Sequence, residues 1–382
     1  MYANPNTPFL SAEQIVNAIK ALGGSRTILI SGENGIGKTA VYHTLRSDPD
    51  FKEHFFSTPI VAPELSDGSV WMPDLDRENG VSRELPNERF GVSKHNQYGM
   101  PNSKPVAIFI DELFKAPQRI QTYLAPIVYE HQVGPFKFPE HSFVIAATNL
   151  GIEGLGDMAK PHMRNRLVQM YMRKPTAAEW FKWAVNNGIH PFILASINPE
   201  RGEHTEVFDS FLDYEKGGKF EGRDLAKDNP MIFNPRDPSQ LAYVTPRTLH
   251  AASDILWAAD RAKLDAVTLD AMLTGVVGAT YASKLGAYVR LGTSITPFDA
   301  VIADPDNAVI HPDPMVQVVQ VSVLVSKAQD RAQAEKVCTY VSRMRSEMQT
   351  MFVGSVNDSK FVGMYLTVAA YAKMLAQHRE LI

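Results

Sequence analysis

Thr27-Ile28-Leu29-Ile30-Ser31-Gly32-Glu33-Asn34-Gly35-Ile36-Gly37-Lys38-Thr39 is the stretch that decides the fold. Its first four residues form a short apolar run rich in β-branched side chains, the signature of a parallel strand buried on both faces. Gly32 to Thr39 then match G-x-x-x-x-G-K-[ST] in full. Phosphate oxygens carry dense negative charge, so a loop that wraps them must turn successive backbone N–H groups inward, and glycines permit both that path and the close approach. In such a loop Gly32, Glu33, Asn34, Gly35, Ile36 and Gly37 cradle the phosphates. Lys38 reaches the β- and γ-phosphates and the Thr39 hydroxyl meets Mg2+. A helix opening at Thr39-Ala40 and running to about Arg46 turns its positive end toward the same group. With glycine at roughly 7% of ordinary residues, a chance match in a chain of this length is on the order of one in a hundred. The bland alternative is a glycine-rich turn with an incidental lysine, which needs the preceding strand and following helix to be coincidences as well.

Downstream, Val106-Ala107-Ile108-Phe109-Ile110 is a second buried-strand run, and it ends in Asp111-Glu112. Strands commonly end in acidic loop residues, so this pattern alone is weak. After a phosphate loop it acquires a meaning: Asp111 beside Mg2+ and its waters, Glu112 polarising the attacking water. Phe143–Ala147 is a third such run, tipped by Thr148-Asn149. A neutral amide there can position water without adding charge, although Asn at a strand end is also an ordinary turn former. Met163-Arg164-Asn165-Arg166-Leu167 precedes a further strand-like segment, Leu167–Met172. A guanidinium presented from Arg166, or from Arg164, to a neighbouring subunit's γ-phosphate would neutralise transition-state charge. Surface ion pairing is the competing reading, evenly matched for Arg164 and weaker for Arg166. Arg247, in Thr245-Pro246-Arg247-Thr248, stands at a helix start marked by proline, and from the helical part of the chain it could reach back to the nucleotide.

Length and composition bound these readings. At 382 residues the chain is too long for one average domain. A net charge of −4 argues against a generic polyanion binder held by bulk charge. The single cysteine, Cys338, excludes a disulfide framework and any multi-cysteine metal site. No targeting peptide and no apolar run of bilayer-spanning length is visible, so the expectation is a cytoplasmic protein with no membrane segment. No Asn-Lys-x-Asp guanine-reading motif is present, which disfavours GTP.

The first part of the chain, residues 1–174, alternates helix and strand, which predicts an α/β fold with a parallel sheet sandwiched by helices. Ser11 and Gln14 form a capping-box pair before Ile15, Val16, Ile19 and Leu22, and Gln118–Glu130 reads as another helix. From Pro175 the pattern becomes helical, starting with a second capping-box pair, Thr176 and Glu179. Asn198–Gln240 reads as a long irregular excursion, and Pro246–Ala262 and Ala266–Leu291 as helices. The Pro- and Asp-rich break at Gly292–Pro314 marks a boundary between a helical segment, 175–291, and a helical extension, 292–382. Val316–Ser326, Ala332–Phe352 and Lys360–Glu380 are the extension's expected helices.

In this order, phosphate loop, Asp-Glu strand, Asn-tipped strand, arginine pair and Pro-Arg helix, the chain resembles the AAA+ ATPases over roughly Ala12–Leu256. Within them it resembles the MoxR-like branch related to the dynein-type subfamily. The segment Asp111-Glu112-Leu113-Phe114-Lys115-Ala116-Pro117, the helix after it, and Val128–Phe138 with a turn at Gly134-Pro135 look like that branch's acidic motif, helix and hairpin. The resemblance implies a P-loop NTPase core, ATP and Mg2+, and a homo-oligomeric ring, usually of six subunits, with force applied to a macromolecular partner. It implies that Gly32 to Ala40 bind the phosphates, Thr39 and Asp111 hold the metal, Glu112 activates water and Asn149 senses the γ-phosphate. Arg166, with or without Arg164, would then act in trans, and Arg247 from a helical lid. MoxR-like relatives often work with a protein containing a von Willebrand factor A domain, which is the implied partner class.

The chain departs from the pattern in a long insert, Ala62–Pro105, and in Asn165-Arg166-Leu167 where Asp-Arg-Phe is more common. Two rivals stay open. One is a nucleic-acid-directed motor gripping phosphates through Arg83, Arg89, Lys94 and Lys104, with a solvated loop over Ser82–Lys104 as the blander reading. The other is a non-catalytic assembly component that binds ATP as a structural ligand, disfavoured by the presence of Glu112 and both arginines.

Overall fold

The computed structural model describes residues 8–91, 103–150, 165–200, 204–210, 212–215, 219–224, 229–234 and 237–378. The chain divides into two compact units, one of Met1–Lys174 with Leu212–Asp224, the other of Pro175–Phe211 with Leu225–Ile382.

In the first unit the elements run β1 (Phe9–Leu10), α1 (Ala12–Leu22), β2 (Ile28–Gly32), α2 (Lys38–Arg46), β3 (Phe55–Phe56), β4 (Ile60–Val61), β5 (Trp71–Asp76) and β6 (Val81–Pro86). They continue with β7 (Val106–Asp111), α3 (Gln118–Glu130), β8 (Gln132–Val133), β9 (Phe136–Lys137), β10 (Phe143–Asn149) and β11 (Val168–Met172). A seven-stranded sheet has the order β1-β11-β2-β10-β7-β3, with β4 also on β7. Every pairing in it is parallel.

Alternate side chains of the central strands build two cores. Ile28 and Ile30 of β2, Ala107 and Phe109 of β7, and Phe143 and Ile145 of β10 pack with Ile15 and Ile19 of α1 and Val41, Tyr42 and Leu45 of α2. Leu29, Ile108, Ile110, Val144 and Ala146 point the other way, onto Ile120, Leu124, Ile127 and Val128 of α3. Burial on both faces is why these strands read as unbroken apolar runs rather than as alternation. The capping box of Ser11 and Gln14 opens α1, and Gly23 at φ 52° closes it.

The insert Ala62–Pro105 is not all loop. It contains an antiparallel ribbon in which β5 pairs β6 from Trp71↔Pro86 to Asp76↔Val81. Pro73 and the charges in both strands hide the ribbon from a reading by pattern. Of the Ser82–Lys104 segment, residues up to Pro86 are strand, Glu88–Phe90 form a 3-10 turn, and 92–102, with Lys94, lie outside the described residues. The expected excursion at 198–240 likewise contains a two-stranded ribbon, β12 (Leu212–Glu215) with β13 (Lys219–Asp224).

That ribbon belongs to the first unit, and the regular elements described for the second are all helices: α4 (Ala177–Asn186), α5 (Pro191–Ser196), α6 (Pro246–Ala262), α7 (Ala266–Val277), α8 (Ala279–Leu291), α9 (Phe298–Ala303) and α10 (Pro314–Lys327). The second unit ends with α11 (Arg331–Ser342), α12 (Ser346–Asn357), α13 (Val362–Tyr365) and α14 (Ala369–His378). Three expectations are corrected here. Ala266–Leu291 is two helices, because Gly278 at φ 80° interrupts it. Ala332–Phe352 is also two, turned at Arg343–Arg345, where the Arg343 guanidinium donates to Pro305 O and Ala308 O. The Lys360–Glu380 segment contains the short α13 and then α14. Thus a parallel sheet flanked by helices is followed by a helical C-terminal region. Among the described residues no helix is long and apolar enough to cross a membrane.

Candidate nucleotide site

The parallel register brings the chemistry to one edge of the sheet. Gly32 at the end of β2 stands opposite Asn149 of β10 on one side and Met172 of β11 on the other. On the far side of β10, Ala146 pairs Ile110, so Asp111 ends β7 at the same carboxyl edge. Strands lie about 4.8 Å apart, so Asn149 sits between the glycine-rich loop and an acidic pair separated by about 10 Å. The strand carrying Asn149 extends through the polar tip itself, two residues beyond the expected apolar run.

Two glycines set the path of the loop. Gly37 has φ 101°, a left-handed conformation that costs other residues steric strain. A Cβ on Gly32 would lie 2.8 Å from Met172 O and 2.7 Å from the Ile36 side chain. From Gly37 the chain enters α2 at Lys38, one residue earlier than expected, with no side chain capping the helix. The first N–H groups of a helix have no partners further back in the helix, and this end has only a glycine at the cap.

Lys38 is buried, and its Nζ donates to Gly32 O at 2.9 Å, Glu33 O at 2.8 Å and Asn149 Oδ1 at 2.8 Å. The last bond joins two elements 111 residues apart in sequence. Thr39 is half-buried in the first turn of α2 and Ala40 exposed behind it, its N–H bonded to Gly37 O. Glu33, Gly35 and Ile36 are buried and Asn34 is half-buried. Tyr42, one turn on, donates from its buried hydroxyl to Ser57 O and Ala107 O, tying α2 to β7. Burial pushes that phenol well above its ordinary pKa.

Asp111 accepts the N–H of Glu112 at 2.9 Å. Glu112 itself is left-handed at φ 53°, ψ 35°, and begins a 3-10 turn, Leu113–Lys115, anchored by buried Leu113 and Phe114. Its carboxylate is held by the Lys115 ammonium. Lys115 stands in the motif-bearing segment, but the motif does not assign it a contact with Glu112; a cation three residues after the acid is the available signal.

Arg166 lies elsewhere. It precedes Val168, which pairs with Ile28 at the amino end of β2, so it occupies the opposite end of the sheet from Gly32. Four residues of strand at about 3.3 Å each, plus the approach, put it on the order of 15 Å from the glycine-rich loop after β2. There it is exposed, with its guanidinium 5.5 Å from the centre of the Tyr129 ring. Burial raises the Tyr129 phenol above its usual pKa, and the smaller effect of Arg166 opposes it. Arg164 lies outside the described residues. Arg247 is exposed at the second position of α6, in the second unit, where Thr245 and Thr248 make the capping box.

The donor set fits a nucleotide and a hard cation. Among the described residues no three His, Cys, Asp or Glu gather. A single carboxylate with a hydroxyl and phosphate oxygens is the kind of shell in which Mg2+ keeps several waters.

No family model matches the chain. No curated protein matches it either. Solved structures give low-scoring likenesses. A candidate ATPase from Cytophaga hutchinsonii is 16% identical, with 42% of this chain and 45% of that one covered and a TM-score of 0.29. The chain therefore spans less than half of that protein. NtrX from Brucella abortus, in complex with ADP, is 13% identical over 97% and 67%, at 0.37. A Thermotoga maritima RuvB variant is 12% identical over 77% and 73%, at 0.34. At such scores the chemistry has to be carried by the chain's own residues.

Proposed function

We propose that this chain is a Mg2+-dependent ATPase of the AAA+ type that acts as a ring of identical copies. The observation that carries the reading is the bond from Lys38 Nζ to Asn149 Oδ1 at the sheet edge where Asp111 and Glu112 also end. The backbone of Gly32 to Ala40 binds the phosphates, and Lys38 exchanges loop carbonyls for phosphate oxygens. Thr39 and Asp111 hold Mg2+, which supplies neutralisation of charge on the transferring phosphoryl group. Glu112 takes the proton of the attacking water, and Asn149 orients that water while reporting on Lys38.

The position of Arg166 supports action in trans. A guanidinium at the amino end of the sheet is too far from its own loop to touch the same nucleotide, yet it is exposed and free to meet a neighbour's. In the finer reading, the ring has six subunits and belongs to the MoxR-like branch, related to the dynein-type subfamily. Residues 1–174 bind nucleotide, 175–291 form a lid carrying Arg247, and 292–382 are an extension. It works in the cytoplasm on a protein partner, with a von Willebrand factor A domain as the favoured class. That reading rests on the sequence resemblance.

The test is ATP turnover against protein concentration for wild type, Glu112→Gln, Arg166→Ala and a mixture of the two variants. Turnover should rise steeply with concentration, fall at least about 100-fold in either variant, and partly return on mixing, since a shared site can be rebuilt from complementary copies. Turnover independent of concentration and indifferent to Arg166 would overturn the ring.

A further inference from the structure

Two different lysines hold the two groups that would handle the attacking water. Asn149 Oδ1 is bonded to Lys38, and the Glu112 carboxylate to Lys115. The second contact is built by the fold rather than met by chance. Glu112 caps the 3-10 turn, and Lys115 N donates to Glu112 O at 2.9 Å, a backbone bond that closes one turn and brings the two residues together. Buried Leu113, Phe114 and Ala116 pin the turn to the core on the α3 side of the sheet. Both charged side chains are mostly covered, Lys115 at 20% and Glu112 at 32% exposure, so the pair is not a freely solvated one. Among the described residues Lys115 has no other carboxylate partner.

We propose that Lys115 is a latch on Glu112: its ammonium holds the carboxylate toward the turn, and hydrolysis requires this contact to open. This deepens the reading of Glu112 as the base and rests on it. A base acts through a carboxylate oxygen aimed at water; the ammonium engages Oε1 and draws the whole carboxylate, Oε2 with it, toward the turn, so the contact acts on the direction of the base. Release needs only rotation about the Glu112 side-chain bonds, which leaves the backbone turn and the buried Leu113 and Phe114 in place. Lys115 is thus a positioning residue that sets how often Glu112 is free.

The contact is testable apart from activity. In the full chain without added nucleotide, amine-reactive acylation read at Lys115 by peptide mass spectrometry should be slow, and Glu112→Gln should speed it about three-fold or more. Equal rates would mean that the contact does not hold Lys115 in solution, and the latch would be wrong. In ATP hydrolysis, Lys115→Met should raise kcat about two- to five-fold, the range expected of a partly exposed ion pair, with KM changed less than about two-fold. Lys115→Arg should restore the wild-type rate, and added salt should raise turnover of the wild type but not of Lys115→Met. Unchanged or lowered kcat in Lys115→Met overturns the proposal, the latter by making Lys115 a support for Glu112. Should Glu112→Gln turn over ATP at the wild-type rate, the base assignment fails by itself, whatever the acylation shows, and the latch fails with it.

Discussion

Lys38 concentrates the energetics of the site in one ammonium. It is buried, with three oxygens within 2.9 Å, and each charge-assisted bond is worth about 1.5–3 kcal/mol. Phosphate oxygens can replace the two loop carbonyls as acceptors, and they carry more charge. Lys38→Met should therefore weaken ATP binding by at least about 100-fold, measured by titration calorimetry, while leaving the fold intact by circular dichroism. Asn149→Ala should separate binding from chemistry. It removes a neutral acceptor that is lost or weakened when Lys38 turns to phosphate, so affinity should change less than about ten-fold. On the proposed role the amide positions the attacking water, which is needed in the transition state, so kcat should fall about 10- to 100-fold. If Asn149→Ala weakened binding as much as Lys38→Met, the amide would belong to the binding pocket and not to the chemistry.

At the scale of elements, what can be read from the sequence follows from what each stretch buries. The strands at Ile28, Val106 and Phe143 are apolar on both faces and declare themselves, and so does the glycine-rich loop that follows the first of them. The Lys38–Asn149 bond is not visible in the sequence, because register and not spacing brings them together. The ribbon β5–β6 escapes for the opposite reason to the strands. Met72, Leu75, Val81 and Leu85 are exposed, and Pro73 and alternating charges erase the period. The helix predicted over Ala266–Leu291 fails at one residue. Gly278 has φ 80°, and a Cβ there would lie 2.8 Å from Ala242 O. A glycine inside a helical pattern is usually tolerated, and only the fold reveals that this one turns the chain from α7 to α8. Gly278→Ala should then destabilise the protein by about 1–3 kcal/mol in urea unfolding, from left-handed strain and the backbone clash together. Gly275, inside α7 with open space where a methyl group would go, is the control: Gly275→Ala should be neutral or stabilising by up to about 1 kcal/mol.

Across the whole molecule, each unit carries histidines that its own packing disfavours in charged form. In the first unit, burial lowers the pKa of His54, against a hydrogen bond to His141 O, and of His131. In the second, burial lowers that of His190 despite the opposing pull of Asp260, with Lys327 adding to the depression. His190 stands between α4 and α5, its ring edge-on to Phe192 and Trp257, with Nδ1 accepting the Phe192 N–H. That acceptor role leaves Nε2 as the protonated nitrogen facing Asp260. Protonating Nδ1 would break the cap and charge a ring among aromatics. Because all three folded pKa values lie below their unfolded value near 6.5, the unfolded chain binds more protons as pH falls. The stability these groups contribute is fully present above about pH 6.5 and is lost progressively as pH drops toward the folded values. Unfolding by urea should accordingly be easier at about pH 5 than at about pH 7.5. His190→Asn keeps a side-chain oxygen that can accept the Phe192 N–H but cannot titrate. It should cost some stability at the higher pH and flatten the pH dependence, so that wild type and variant converge as the solution is acidified. A difference between them that stayed constant across that range would mean that His190 contributes packing alone and that the acid sensitivity arises from other groups.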